Sequence, residues 1–318
     1  MQLNGAAFTL APASADASFR RYFRVTADGG THIVMDAPPD REDCRPFIRV
    51  AQLMGDAGLN VPKVLSADLD GGFLLLSDLG TTTYLQALTE ASADALFGDA
   101  VGTLVTWQGA TRPGVLPPYD RALLQREMDL FADWYAGRHL GITLSDHQRV
   151  TLAGVTALLA DSALAQPAVY VHRDFMPRNL MVSAPNPGVL DFQDAVCGPI
   201  TYDLVSLFRD AFISWPEERV LDWTVRYWEL AKRANLPVAA DFGEFYRAFE
   251  WMGLQRHLKV LGIFARIRHR DGKPAYLEDA PRFIAYARAV CGRYAPLAPL
   301  ARLLDELERR SPQVGYTF

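Results

Sequence analysis

The chain has 318 residues, 50% of them hydrophobic and 22% charged, with a formal net charge of −5. That length is enough for a large core and points to two lobes, because single small domains are shorter. The negative balance argues against a nucleic-acid binder, whose footprint would be basic, and no run of roughly 18 uncharged apolar residues marks a membrane span.

The first residues, 1–8, lack a charged segment followed by a long apolar one, so a cytoplasmic protein is expected. Cys44, Cys197 and Cys291 are few, odd in number and far apart, and they read as reduced packing residues. Short β-like runs then appear at 8–10, 19–25, 33–35 and 73–76. One helix interrupts them over 46–54, where Phe47, Val50, Leu53 and Met54 share a face, and residues 57–62 end it with glycine and proline. The resulting plan is β-β-β-α-β-β. After Asp78-Leu79-Gly80 the pattern turns helical. Leu124, Met128, Phe131 and Tyr135 follow a 4-3-4 spacing, as do Leu254, Leu258, Leu261 and Ala265. The expected fold class is α+β, with a small sheet lobe over residues 1–78 and a large, mainly helical lobe over 79–318.

Chemistry concentrates in one short stretch. His172-Arg173-Asp174-Phe175-Met176-Pro177-Arg178-Asn179 reads as the catalytic loop H-R-D-x-x-x-x-N, and Leu190-Asp191-Phe192 follows it. A carboxylate at Asp174 can accept the proton of an attacking hydroxyl. Asn179 and Asp191 offer the hard oxygens that Mg²⁺ prefers, so the order fits phosphoryl transfer from a magnesium-bound nucleotide. The apolar runs 168–171, 180–182 and 188–190 suit buried strands, and the turn formers of 183–188 should reverse the chain and set Asn179 beside Asp191. His172 is expected to be a packed scaffold and not the base.

These residues, with Leu74-Leu75-Leu76-Ser77-Asp78-Leu79-Gly80 and Gly198-Pro199-Ile200-Thr201-Tyr202-Asp203-Leu204, resemble the aminoglycoside phosphotransferase and choline kinase-like small-molecule kinases. Those proteins are similar in fold to protein kinases. The strings Asp191-Phe192-Gln193-Asp194-Ala195, Phe208-Arg209-Asp210-Ala211-Phe212 and Trp251-Met252-Gly253-Leu254-Gln255-Arg256-His257-Leu258-Lys259 look closest to bacterial cell-wall sugar kinases. These phosphorylate N-acetylmuramate and N-acetylglucosamine at the anomeric hydroxyl. The resemblance implies ATP as donor, Mg²⁺ at Asn179 and Asp191, and an adenine hinge with Leu76, Asp78 and Leu79. It also implies that Val25 packs on the base and that His172, Arg173 and Asp203 brace the loop. No nucleic acid, membrane or obligate protein partner is implied.

One departure from the family is plain. Met35 stands where the phosphate-gripping lysine is usual, and the following helix offers only Arg49 and Gln52 in place of its glutamate partner. Losing both together avoids a lone charge in a partly buried cleft. Period-two alternation puts Arg21 on the face of Phe23 and Val25, so Arg21, helped by Arg20, is the expected replacement. The turn over 13–18 has no glycine, yet the Ser18 hydroxyl and nearby N–H groups can approach phosphate. For the acceptor, the candidates are Glu127, Asp133, Arg178, Asp194, Arg256, His257 and Lys259, beside aromatic faces such as Trp134 or Trp251. Other readings of the same residues are a kinase for an aminoglycoside, choline or homoserine, and a non-catalytic nucleotide-binding module.

Overall fold

The computed structural model describes residues 7–14, 19–27 and 29–308. They divide into two compact units. The first holds the described residues up to Pro117 with Tyr170–Val196 and Glu229–Leu236; the second holds Pro118–Val169, Cys197–Trp228 and the chain from Pro237 onward.

The first unit begins with a five-stranded antiparallel sheet of β1 (Thr9–Ser14), β2 (Arg21–Ala27), β3 (Gly30–Asp36), β4 (Val64–Asp68) and β5 (Phe73–Ser77), in the order β1-β2-β3-β5-β4. Helix α1 (Arg45–Asp56) enters between β3 and β4, as the plan read from the sequence has it, although none of the four sequence runs marks β4 itself. Pro46 sits at the start of this helix, where its missing N–H is not needed. Phe47, Val50, Ala51, Leu53 and Met54 are buried along one face. In the sheet, Met35 stands opposite Leu74 and both are buried. The residue in the lysine's place is therefore a core hydrophobe, and burying such a side chain contributes roughly 1.5–3 kcal/mol.

The unit continues through α2 (Tyr84–Ala87), where Thr83 and Gln86 cap each other reciprocally, to α3 (Ala93–Gly109). Trp107 of α3 is fully buried and its ring lies 4.7 Å from that of Tyr170. Tyr170 belongs to β6 (Ala168–Val171), which pairs with β9 (Val196–Pro199), and between them β7 (Leu180–Met181) and β8 (Gly188–Val189) form a small hairpin. That hairpin is tied down from two sides. Asn60 donates its Nδ2–H to Ser183 Oγ at 3.0 Å, and Asn186 donates to the Tyr84 hydroxyl at 2.9 Å.

The second unit is helical. Helix α4 (Arg121–Leu130) runs on into a π-helical stretch, Phe131–His139, followed by α5 (Asp146–Leu164), α6 (Tyr202–Phe208), α7 (Glu217–Arg233), α8 (Phe242–Asp271), α9 (Ala280–Arg293) and α10 (Ala298–Leu307). Helix α7 reaches its end in the first unit. The spine is α8, thirty residues long, started by the Asp241 side chain and stopped by Gly272. Leu254, Leu258, Leu261 and Ala265 are fully buried, as their spacing predicts, and so are Leu124, Met128 and Phe131. At Gly262 a Cβ would strike the backbone and Cβ of Leu130, so α4 and α8 touch at glycine distance.

Candidate active site

The strand β6 is buried from Val169 to Val171 and delivers the chain to His172 with little freedom. The Tyr170 N–H donates to Thr111 Oγ1 at 2.8 Å, which anchors the strand to the end of α3. His172 has no exposed surface. Its Nε2 lies 2.9 Å from the carbonyl of Leu190, and its Nδ1 accepts the N–H of Asp174 at 3.2 Å. Burial pushes its pKa down to about 4, against the opposing pull of nearby Asp174. The ring is therefore neutral, donating from Nε2 and accepting at Nδ1, and it ties the catalytic loop to the strand of Asp191.

The backbone of Asp174 is fixed at both ends. Its carbonyl accepts from the Met176 N–H at 2.9 Å and from Asn179 Nδ2 at 3.0 Å, while its side chain stays partly exposed. Arg173 and Asp191 adopt left-handed backbone angles, φ 78° and 63°. For residues other than glycine such angles cost of order 1–3 kcal/mol each and persist only where the surroundings enforce them.

Asn179 and Asp191 meet because β7 and β8 pair, Leu180 opposite Val189 and Met181 opposite Gly188, with the Leu190 N–H donating to the Asn179 carbonyl at 2.9 Å. Asn179 Nδ2 lies 3.2 Å from Asp191 Oδ2, and Gln193 Nε2 donates to Asp191 Oδ1 at 2.8 Å. The fit to magnesium rests on this donor set. Among the described residues no group of three or more His, Cys, Asp or Glu side chains is placed to hold a metal. One carboxylate and one amide make a hard, sparse set, as suits an ion that keeps several waters. Phe192, next to Asp191, is buried 4.9 Å from the ring of Phe47, so α1 buttresses the same stretch.

The nucleotide candidates fare differently. Val25 and Leu76 are buried, and a Cβ on Gly188 would meet Leu79 Cδ1, which places the Leu79 side chain against β8. Asp78 is occupied. Arg24 donates Nε to its Oδ2 at 2.6 Å and Nη2 to its Oδ1 at 3.0 Å, and Nη2 also donates to the Gly80 carbonyl at 2.7 Å. Burial alone would raise the Asp78 pKa, but Arg24, the Gly80 N–H and the Thr31 hydroxyl outweigh it and hold the carboxyl below its ordinary value. Asp78 thus shapes the turn at Gly80, whose φ is 100°, and its carboxylate is committed there. Arg20 pairs with Glu42 at 2.9 Å. Arg21 differs from expectation: its side chain is 65% exposed and bound to Asp36, its direct neighbour across β2 and β3. The carboxylate that takes up the Arg21 charge lies across the sheet and leaves no local signal in the sequence. Ser18 lies outside the described residues.

Of the acceptor candidates, Glu127 is buried with its carboxylate committed. Lys259 Nζ lies 2.9 Å from Oε1, the Tyr119 hydroxyl donates to Oε2, and Gln255 Nε2 is 3.4 Å away. Its partner lies far along the sequence, and the carboxylate sits in an interior ion pair. Asp133 and Asp194 are exposed, and the Asp194 carbonyl accepts from Arg173 Nη1 at 3.5 Å. Arg178 is partly exposed in the first unit. Asp203 is fully buried in α6, and Arg256 and His257 are buried in α8. Cys44 and Cys291 are buried and all three thiols are pushed up by burial, in keeping with packing roles. Sequence reasoning did not select Arg24, Gln193 or Asp210. Gln193 and Asp210 left a signal only as members of the strings Asp191-Phe192-Gln193-Asp194-Ala195 and Phe208-Arg209-Asp210-Ala211-Phe212.

The sequence profile of the phosphotransferase enzyme family matches residues 9–242. This chain belongs to that family. Among its relatives is the N-acetylmuramate/N-acetylglucosamine kinase of Pseudomonas putida, 56% identical over 300 residues, which cover 94% of this chain and 88% of the relative. The protein of the same name from Neisseria meningitidis is 53% identical over 98% of this chain and 94% of its own length. Solved structures agree on the fold. An ethanolamine kinase from Plasmodium vivax superposes with a TM-score of 0.63 at 10% identity, covering 91% of this chain and 83% of that one. An ADP-bound aminoglycoside phosphotransferase gives 0.54 at 14% identity, covering 89% and 93%. The chain is thus a phosphotransferase with a kinase-like α+β fold. No helix among its described residues is long and apolar enough to cross a membrane.

Proposed function

We propose that this phosphotransferase moves the γ-phosphoryl group of ATP to the anomeric hydroxyl of N-acetylmuramate, N-acetylglucosamine or both. Two lines support the acceptor: relatives of that name at 53–56% identity, and matches that span nearly all of both chains. The observation that carries the chemistry is the meeting of Asp174, Asn179 and Asp191 within one hairpin and loop.

In this reading Asp174 orients the sugar hydroxyl and accepts its proton, a task eased because an anomeric hydroxyl is more acidic than an ordinary alcohol. His172, held neutral, fixes the Asp174 backbone, and Asn179 braces it from the carbonyl side. Asn179 and Asp191 would hold magnesium, with Gln193 keeping the Asp191 carboxylate in place. When bound, the ion supplies positive charge to the phosphate oxygens. Transfer is direct and in line, so most of the rate comes from positioning and charge and no phosphoenzyme is needed. Residues 1–78 are proposed to take the nucleotide and residues 79–318 to carry catalysis and acceptor binding, in the cytoplasm, where ATP is at hand.

The test is turnover. The purified chain with magnesium, ATP and each amino sugar should release ADP in step with sugar phosphate, and Asp174→Asn should remove nearly all of it. ADP release without sugar phosphate, or transfer only to an aminoglycoside, choline or homoserine, would contradict the proposal.

A further inference from the structure

The second unit contains a group of buried polar atoms that its own residues do not satisfy. Asp210, just after α6, is fully buried. Its Oδ1 accepts the N–H groups of Phe212 at 2.7 Å and Ile213 at 3.2 Å, while Oδ2 has no partner. Arg256 on α8 is 2% exposed with Nη1 unpartnered, and His257 is 1% exposed with both ring nitrogens unpartnered. Geometry links the three through one ring: the guanidinium of Arg209, which precedes Asp210, lies over Tyr286 at 5.2 Å, and His257, which follows Arg256, stacks on the same ring. Arg256 acts on the Asp210 carboxyl, and both Arg256 and Arg209 act on the His257 ring. Even so, no ion pair joins Asp210 to Arg256 among the described residues.

Leaving a buried donor or acceptor unmade costs about 1–3 kcal/mol, so these four atoms call for a partner that the described residues do not supply. The walls suggest its character. His257 stacks on Tyr286 with ring centroids 5.1 Å apart, and Phe283 lies 5.4 Å away. Aromatic faces with a few convergent polar groups suit a sugar ring. The charges narrow it further. Two guanidinium groups, Arg209 and Arg256, act on His257, Arg256 also acts on the Asp210 carboxyl, and Arg209 in turn has Glu217 at 3.7 Å. Burial and the two arginines keep His257 neutral. That balance repels a polycation and accepts a neutral or singly anionic ligand.

We propose that Asp210, Arg256 and His257 form the second unit's recognition site for the acceptor, an N-acyl amino sugar with or without a carboxylate arm. The inference rests on the sugar-kinase reading and assigns it residues. Asp210 Oδ2 takes sugar hydroxyls, Arg256 Nη1 takes an acyl or carboxylate oxygen, and His257 both donates and accepts. The segment 211–215, directly after Asp210, contains neither helix nor strand and exposes Ser214, and in this proposal it is the part that shifts to admit the ligand. Arg282 Nη1 and the Tyr286 hydroxyl hold it in place, through the Ala211 carbonyl at 2.9 Å and Ser214 Oγ at 2.8 Å.

The experiment compares Asp210→Asn and Arg256→Lys with the unaltered chain in steady-state kinetics. Both should raise the KM for sugar about tenfold or more, the scale of one lost charged hydrogen bond, and leave the KM for ATP within about twofold. Arg256→Lys should also lower the preference for N-acetylmuramate over N-acetylglucosamine. An unchanged sugar KM in folded Asp210→Asn overturns the site. Hydrogen exchange on the unaltered chain decides the matter even if a variant fails to fold. Added N-acetylmuramate should slow exchange of a peptide spanning 209–216, and magnesium-ATP alone should not; no slowing overturns the site. Failure of the sugar-kinase reading looks different: the unaltered chain transfers phosphate to neither amino sugar, and the ligand class assigned here falls with it.

Discussion

Arg24 on β2 and Asp78 after β5 form a two-pronged ion pair, 2.6 and 3.0 Å, that also reaches the carbonyl of Gly80. One guanidinium therefore fixes the carboxylate and the turn behind it. A bidentate arginine pair of this kind is stronger and more directional than a lysine contact. If the turn presents backbone groups to adenine, Arg24→Gln should raise the KM for ATP about tenfold, at 1.4 kcal/mol per decade, with the KM for sugar unchanged. Arg24→Lys should recover only part of the loss. Initial-rate kinetics with each substrate varied in turn would check this.

The three central residues should respond differently. Asp174→Asn keeps the shape and loses the base, so kcat should fall about 10²–10⁴-fold with little change in either KM. Asp191→Asn and Asn179→Ala should raise the magnesium concentration needed for half-maximal rate. Chelation with EDTA should abolish transfer, and added magnesium should restore it. Titration of rate against free magnesium separates the two classes.

Much of this was legible in the sequence because the signals are local. The H-R-D loop, the turn of 183–188 and Asp191 lie within twenty residues, and each neighbouring run is short enough to place by hydrophobicity alone. The 4-3-4 spacing in α8 likewise needs no tertiary information. What escaped depends on partners brought together by folding. Asp36 opposite Arg21 and Asp78 beside Arg24 are partners that only the folded sheet and the turn after β5 bring into place. The ion pair of Glu127 with Lys259 leaves no local signal, because the two lie far apart in sequence. The π-helical continuation of α4 was hidden too, since Phe131 and Tyr135 keep the apolar spacing that an α-helix would show.

Acid should destabilise the fold in a defined window. Folded His172 has a pKa of about 4 against an ordinary 6.5, because burial disfavours its charged form. Between those values the unfolded chain binds the proton that the folded chain refuses, so stability present above pH 6.5 is lost as the pH falls toward 4. The full shift is worth about 3 kcal/mol. His257, lowered by burial and by Arg209 and Arg256, acts in the same direction. Urea unfolding at a series of pH values should show this slope, and His172→Gln should flatten it.

The Glu127–Lys259 pair predicts a strong non-additivity. Removing Lys259 alone, as Lys259→Met, leaves a buried carboxylate and should cost about 3–5 kcal/mol. Removing both, as Glu127→Leu with Lys259→Met, should cost much less than the sum of the single changes. A double-mutant cycle by chemical denaturation measures the difference.

Transfer to the anomeric hydroxyl is the claim on which the functional account turns, and the position of the phosphate in the product tests it most directly. The unaltered chain should be incubated with magnesium, ATP and N-acetylmuramate or N-acetylglucosamine, and the product examined by ¹H–³¹P correlation NMR. The account predicts phosphorus coupled to the anomeric proton, with the sugar no longer reducing. Coupling to the protons at position 6, or no sugar phosphate at all, would contradict it.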